Sequence, residues 1–114
     1  MPFGEELQPE TWAICSSDMM MKGSPGRIVQ GNSFDDDGHP GATFDYILAN
    51  PPFGVEWKQV ERAVKDERER LGFHGRFGAG LPSINAGSFL FLQHMISKMT
   101  PPGQAGPRTA TVFK

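Results

Sequence analysis

At 114 residues and 12.5 kDa the chain has room for one domain at most, and a small one for a catalytic α/β unit. A net charge of −2 excludes the broad basic face of an autonomous nucleic-acid binder, so any DNA contact is local or supplied by partners. The single cysteine, Cys15, excludes an intramolecular disulfide and any multi-cysteine zinc site. In chain order, the first predicted element is a helix. Pro9 suits a first helical position, Glu10 favours the helix dipole, and Trp12, Cys15, Met19 and Met20 recur at helical spacing as core candidates before Gly23 closes the segment. Arg27 to Gln30 is short and β-prone, a strand leading into Gly31-Asn32. The stretch from Asp35 to Gly41 reads as a solvated loop; its three aspartates and His39 fit no calcium-loop spacing, so no metal site is expected.

Phe44 to Ala49 is an apolar, aromatic and branched run bounded by turn formers, which predicts a buried strand. Trp57, Val60 and Val64 then step by three and four through a run of Glu, Lys and Arg, predicting a one-sided helix that ends near Leu71-Gly72. From Gly72 to Gly87 five glycines and Pro82 predict a mobile loop. Arg68, Arg70, His74 and Arg76, set among Glu67 and Glu69, read as a charged face. A second helix from about Ser88 to Met99 is expected to turn Phe89, Leu92, Met95, Ile96 and Met99 inward, with His94 structural. Pro101-Pro102-Gly103 stops it, and Thr109 to Phe113 is a candidate final strand. Strands alternating with helices predict a parallel, doubly wound sheet whose ligands bind at the carboxyl ends of the strands. Asn32 and Asn50 both follow strands, so two loops would face one cleft.

The chemistry concentrates in Asn50-Pro51-Pro52-Phe53, directly after the Phe44 to Ala49 strand. The prolines end that strand and stiffen the tetrapeptide, because a residue before proline is biased toward extended backbone. Methylating an exocyclic amine needs acceptors aimed at its N–H groups, since the nitrogen lone pair is delocalised into the base ring. The Asn50 side-chain oxygen and the Pro51 carbonyl are both acceptors. Phe53 offers a ring on which a base taken out of the duplex stacks. Asn-Pro is also an ordinary turn dipeptide, and the tetrapeptide by itself leaves both readings open.

Gly31-Asn32-Ser33-Phe34, the segment from Phe44 to Trp57 with its Asn-Pro-Pro-Phe-Gly-Val-Glu-Trp core, and Gly87 to Ile96 follow in an order and spacing that resemble the modification subunit of type I restriction-modification systems. These are adenine-N6 DNA methyltransferases that use S-adenosylmethionine. The resemblance runs from about Phe3 to about Val112. It implies an α/β, Rossmann-like methyltransferase fold, with Asn50, Pro51, Pro52 and Phe53 as the catalytic residues. It implies Glu6 as the acid that binds the ribose hydroxyls of the cofactor, where the plain reading is an acidic residue preceding a helix N-terminus. It also implies Asn32 as the adenine contact, where the plain reading is a turn asparagine after glycine. DNA is the implied substrate, and the specificity and restriction subunits of a type I complex are the implied partners.

The Gly-rich loop that holds the methionine end of S-adenosylmethionine in that family has no counterpart here; its place would lie before Phe3. The family sheet also sets two further strands between the one ending at Gln30 and the one ending at Ala49. The expectation is therefore an incomplete doubly wound fold, with residues 1–114 forming the central part of a methylase catalytic domain that is inactive alone and splits its sheet. Two other classes remain in view: a non-catalytic remnant that binds partner subunits or a nucleotide, and a protein-glutamine methyltransferase, which the Gly54-Val55-Glu56-Trp57 continuation disfavours. Without a membrane-length apolar run or a signal-like start, a cytoplasmic, membrane-free protein is expected.

Overall fold

The computed structural model describes residues 1–51, 57–103, 106 and 108–111. They form two compact units, Met1–Pro40 and Gly41–Lys114. In the first, strand β1 (Phe3–Glu6) is followed by helix α1 (Pro9–Met21) and strand β2 (Arg27–Gln30). The two strands pair in parallel, Phe3 opposite Arg27 and Glu6 opposite Gln30, and the ladder continues into the bond from Gly31 N–H to the Glu6 carbonyl at 3.0 Å. A parallel pair needs a crossover, and α1 supplies it. Pro9 sits in the first turn with Glu10, as the sequence predicts. Helix and strand are tied by the Trp12 indole N–H, which donates to the Ile28 carbonyl at 2.8 Å.

The expectation that Cys15 and the methionines of this helix form a core is corrected. No residue of α1 is buried; Trp12, Cys15 and Met19 are half-buried, while Met20 and Met21 are exposed. Two short strands offer too little apolar surface to cover a 13-residue helix. The aspartate loop is corrected too. Asp35 and Asp36 are exposed, but Asp37, Gly38 and His39 are half-buried against β1. His39 is held there by a bond from its Nε2–H to the Gly4 carbonyl at 2.9 Å and by an edge-on contact with the Phe3 ring.

The second unit contains strand β3 (Tyr46–Ala49), a 3-10 turn at Lys58–Val60 running into helix α2 (Glu61–Leu71), helix α3 (Gly87–Ser97) and strand β4 (Arg108–Thr111). β3 and β4 pair in parallel, Ile47 opposite Thr109. The expected strand start at Phe44 becomes an isolated bridge to Met99, made by Phe44 N–H to the Lys98 carbonyl and Thr100 N–H to the Phe44 carbonyl. β4 begins one residue before its expected start, and residues 112–114 lie outside the described residues. Every strand pair is parallel, as the α/β reading requires. Among the described residues β1 pairs with β2 and β3 with β4.

Among the described residues of this unit, Trp57, Val60, Val64, Phe77, Leu90 and Met95 are buried. Trp57 is fixed twice, by its N–H to the Ile84 carbonyl and by its indole N–H to the Ser83 carbonyl at 2.7 Å. The phase of α3 differs from expectation. Met95 is buried, but Phe89 and Ile96 are exposed, Leu92 and Met99 are half-buried, and Leu90 takes the inward position. The expected mobile loop from Gly72 to Gly87 is a packed turn. Phe77 is fully buried, and a Cβ on Gly78 would meet the Gly72 carbonyl oxygen at 2.6 Å, so only glycine fits this close crossing of backbone. Arg76 is likewise no member of a solvated face. Its guanidinium pairs with Glu67 at 2.8 Å and reaches His94 Nδ1 at 3.0 Å, with the two charged side chains only 10% and 16% exposed. His94 is structural, as expected.

Candidate functional site

Adjacent residues of a strand point to opposite faces, so Glu5 and Glu6 do different things although they are neighbours. Glu6 closes β1, is half-buried, and accepts the Gln8 N–H at 2.8 Å through Oε1, a bond that orients its carboxylate just before α1. Asn32 lies two residues beyond β2, and because Glu6 pairs with Gln30 both predicted cofactor residues stand at the carboxyl end of one parallel sheet. The Asn32 side-chain oxygen accepts the Phe34 N–H at 3.0 Å, and its carbonyl accepts Asp35 and Asp36 N–H. This is an Asx turn, which shapes the loop and fixes the amide plane.

Asn50 directly follows β3 and is exposed, while Pro51 behind it is buried. Pro52 and Phe53 lie outside the described residues. Glu6 and Asn32 thus belong to the first unit and Asn50 and Pro51 to the second, each at the carboxyl end of a parallel strand. Among the described residues no three His, Cys, Asp or Glu side chains gather as metal ligands, and no helix is long and apolar enough to cross a membrane.

Glu5 is the residue that sequence reasoning missed. Its Oε1 accepts the Gly38 N–H at 3.3 Å and its carboxylate accepts a bond from the Ser33 hydroxyl. The available signal was the Glu5-Glu6 doublet itself, since strand alternation sends one of the two carboxylates toward whatever covers the other face. Burial pushes the Glu5 carboxyl above its ordinary value of 4.5, with the nearby Asp37 adding to the rise; the bonds from Ser33 and Gly38 and the His39 charge oppose it. A folded state that raises a carboxyl pKa binds the proton more readily than the unfolded state. The stability from this group is therefore complete below pH 4.5 and is lost as pH rises through the raised value. Glu5→Gln keeps an acceptor for Gly38 and carries no charge, so it is expected to be more stable than the wild type at pH 7, with the margin closing below pH 4.5. Denaturation midpoints across this range check it, and a margin that grows toward acid contradicts it.

Comparison with known proteins places the chain sharply. The family described as N-6 DNA Methylase matches residues 1–109. The type I restriction enzyme MjaIX methylase subunit of Methanocaldococcus jannaschii is 29% identical over 105 residues, covering 91% of this chain and 18% of that protein. The type I restriction enzyme HindI methylase subunit of Haemophilus influenzae is 30% identical over 105 residues, covering 90% of this chain and 22% of that protein. The chain thus spans about a fifth of the length of these curated relatives. Among solved structures, the methyltransferase subunit of a type I restriction-modification system from Streptococcus thermophilus superposes with a TM-score of 0.71 at 23% identity, over 97% of this chain and 23% of that one. That likeness shows a shared fold, part of a methyltransferase α/β architecture.

Proposed function

From the premise that this chain belongs to the N-6 DNA methylase family, we propose that it carries the target-base corner and the adenosine-binding edge of an adenine-N6 DNA methyltransferase acting in a type I restriction-modification complex. The observation that carries this reading is Asn50, exposed at the carboxyl end of β3 with buried Pro51 behind it. The substrate is DNA, and the partners are the specificity and restriction subunits of such a complex, in keeping with the type I methylase subunits it resembles.

S-adenosylmethionine supplies an activated methyl group. The residues at the first sheet end suit its adenosine half, because the oriented Glu6 carboxylate accepts bonds from a vicinal diol and the Asn32 amide group complements a purine edge. In the second unit, the Asn50 side-chain oxygen and the Pro51 carbonyl accept the two N–H bonds of a target adenine taken out of the duplex. Held so, the amine nitrogen would regain lone-pair character, a gain that rests on positioning by Asn50 and Pro51. Phe53 is the proposed stacking platform for the base.

These 114 residues bring no glycine-rich turn from strand to helix of the kind that holds a methionine end. The chain alone is therefore expected to transfer no methyl group to DNA, because the donor is never brought into line. Incubation with DNA and S-adenosylmethionine carrying a labelled methyl group should incorporate no more label than a heat-denatured control. Sustained incorporation would show that the chain positions the donor by itself.

A further inference from the structure

We infer that Glu5 is a positioning residue of the proposed cofactor edge, holding the loop from Gly31 to His39 in the shape that presents Asn32. This inference rests on the reading of Glu6 and Asn32 as cofactor residues. The loop touches β1 at successive rungs. Its start is fixed by Gly31 N–H on the Glu6 carbonyl, and its end by His39 Nε2–H on the Gly4 carbonyl. Between those points the Glu5 side chain of β1 reaches into the loop. Glu5 takes the Ser33 hydroxyl, next to Asn32, and the Gly38 N–H, at the far side of the turn, and so draws the two arms together.

The loop packs closely around this carboxylate. A Cβ on Gly38 would lie 3.0 Å from Val29 and 3.2 Å from the Glu5 carboxyl carbon, so the backbone of the loop rests directly on the two strands. Phe34, the residue whose N–H caps the Asn32 side chain, is 5% exposed and cannot swing out without uncovering its ring. The titratable groups facing Glu5 are Asp37 and His39 of the same loop, with Ser33 and Gly38 as its hydrogen-bond donors. Asp37 is itself engaged, accepting the His39 N–H at 3.0 Å. Neighbouring carboxylates on one strand thus divide the work: Glu6 faces the ligand, and Glu5 fixes the loop that bears the second contact.

Glu5→Ala removes the clamp and Glu5→Gln keeps an acceptor in place. Amide hydrogen exchange of the 114-residue chain reads the loop directly. In Glu5→Ala, exchange at Gly38 and Phe34 is expected to rise by about tenfold while Arg27, whose N–H donates to the Pro2 carbonyl at the start of β2, stays within about twofold, and Glu5→Gln should restore most of the protection. Phe34 is the decisive position, since it bonds to Asn32 and not to Glu5. Unchanged Phe34 exchange, or an equal rise at Arg27 that marks general unfolding, overturns the proposal. Titration with adenosine provides the second arm. Glu5→Ala should weaken adenosine by about tenfold and Glu5→Gln by no more than about twofold. Full adenosine affinity in Glu5→Ala overturns the proposal while the cofactor reading stands. Failure of the wild type to bind adenosine, with Phe34 still released by Glu5→Ala, overturns the cofactor reading and supports the clamp.

Discussion

In a complete subunit assembled with its partners, Asn50→Ala is expected to abolish methyl transfer while leaving affinity for S-adenosylmethionine within about threefold. Under the proposed assignment, Asn50, exposed after β3, would serve the target amine and not the cofactor. Glu6→Ala should do the reverse to binding. Losing the ribose bonds to a charged acceptor weakens the cofactor by about 1.5–3 kcal/mol, roughly ten- to a hundredfold. Calorimetry on both variants, beside single-turnover transfer, separates the two roles. Loss of the cofactor in Asn50→Ala together with its retention in Glu6→Ala would sink the assignment of both residues.

Phe77→Ala should have the largest effect on stability. The ring is fully buried, the Arg76 guanidinium lies 4.9 Å from its centre, and Glu67 and His94 hold that guanidinium in turn. Emptying such a site costs about 3–5 kcal/mol, a large share of the roughly 5–15 kcal/mol that stabilises an ordinary domain. Phe73, four residues earlier, is 91% exposed, and Phe73→Ala should change stability by no more than about 0.5 kcal/mol. Urea denaturation followed by tryptophan fluorescence compares them. Equal midpoints for the two variants would mean that the Gly72 to Gly87 segment does not pack as described.

Much of this architecture was legible because its signals are local. Pro9 and Glu10 open α1, Arg27 to Gln30 is β2, and Val60 and Val64 mark the buried side of the charged helix. The end of β3 at Ala49 was legible from the apolar run and the Asn-Pro that follows it. What could not be read depends on contacts distant in sequence. Phe77 and Arg76 sit among glycines that suggest a loose loop, and only the partners Glu67 and His94 reveal a packed turn. In α3 the apolar residues surround the helix, so periodicity could not choose Leu90 over Phe89 and Ile96. Glu5 escaped notice because its function is set by Ser33 and Gly38, which fold back from beyond β2.

The isolated bridge between Phe44 and Met99 bears on how the second sheet can assemble at all. In the first unit Phe3 meets Arg27, a short excursion through one helix. In the second, Ile47 and Thr109 are separated by 62 positions. The chain entropy of closing a circuit grows with the logarithm of its length, so this longer one costs ~0.8 kcal/mol more than the first. Once Phe44 and Met99 have met, however, the ends are already together, and only the brief run after Thr100 still has to find β3. The bridge is thus a clasp: it confines the slow diffusive search to a single event and turns the final strand pairing into a local one.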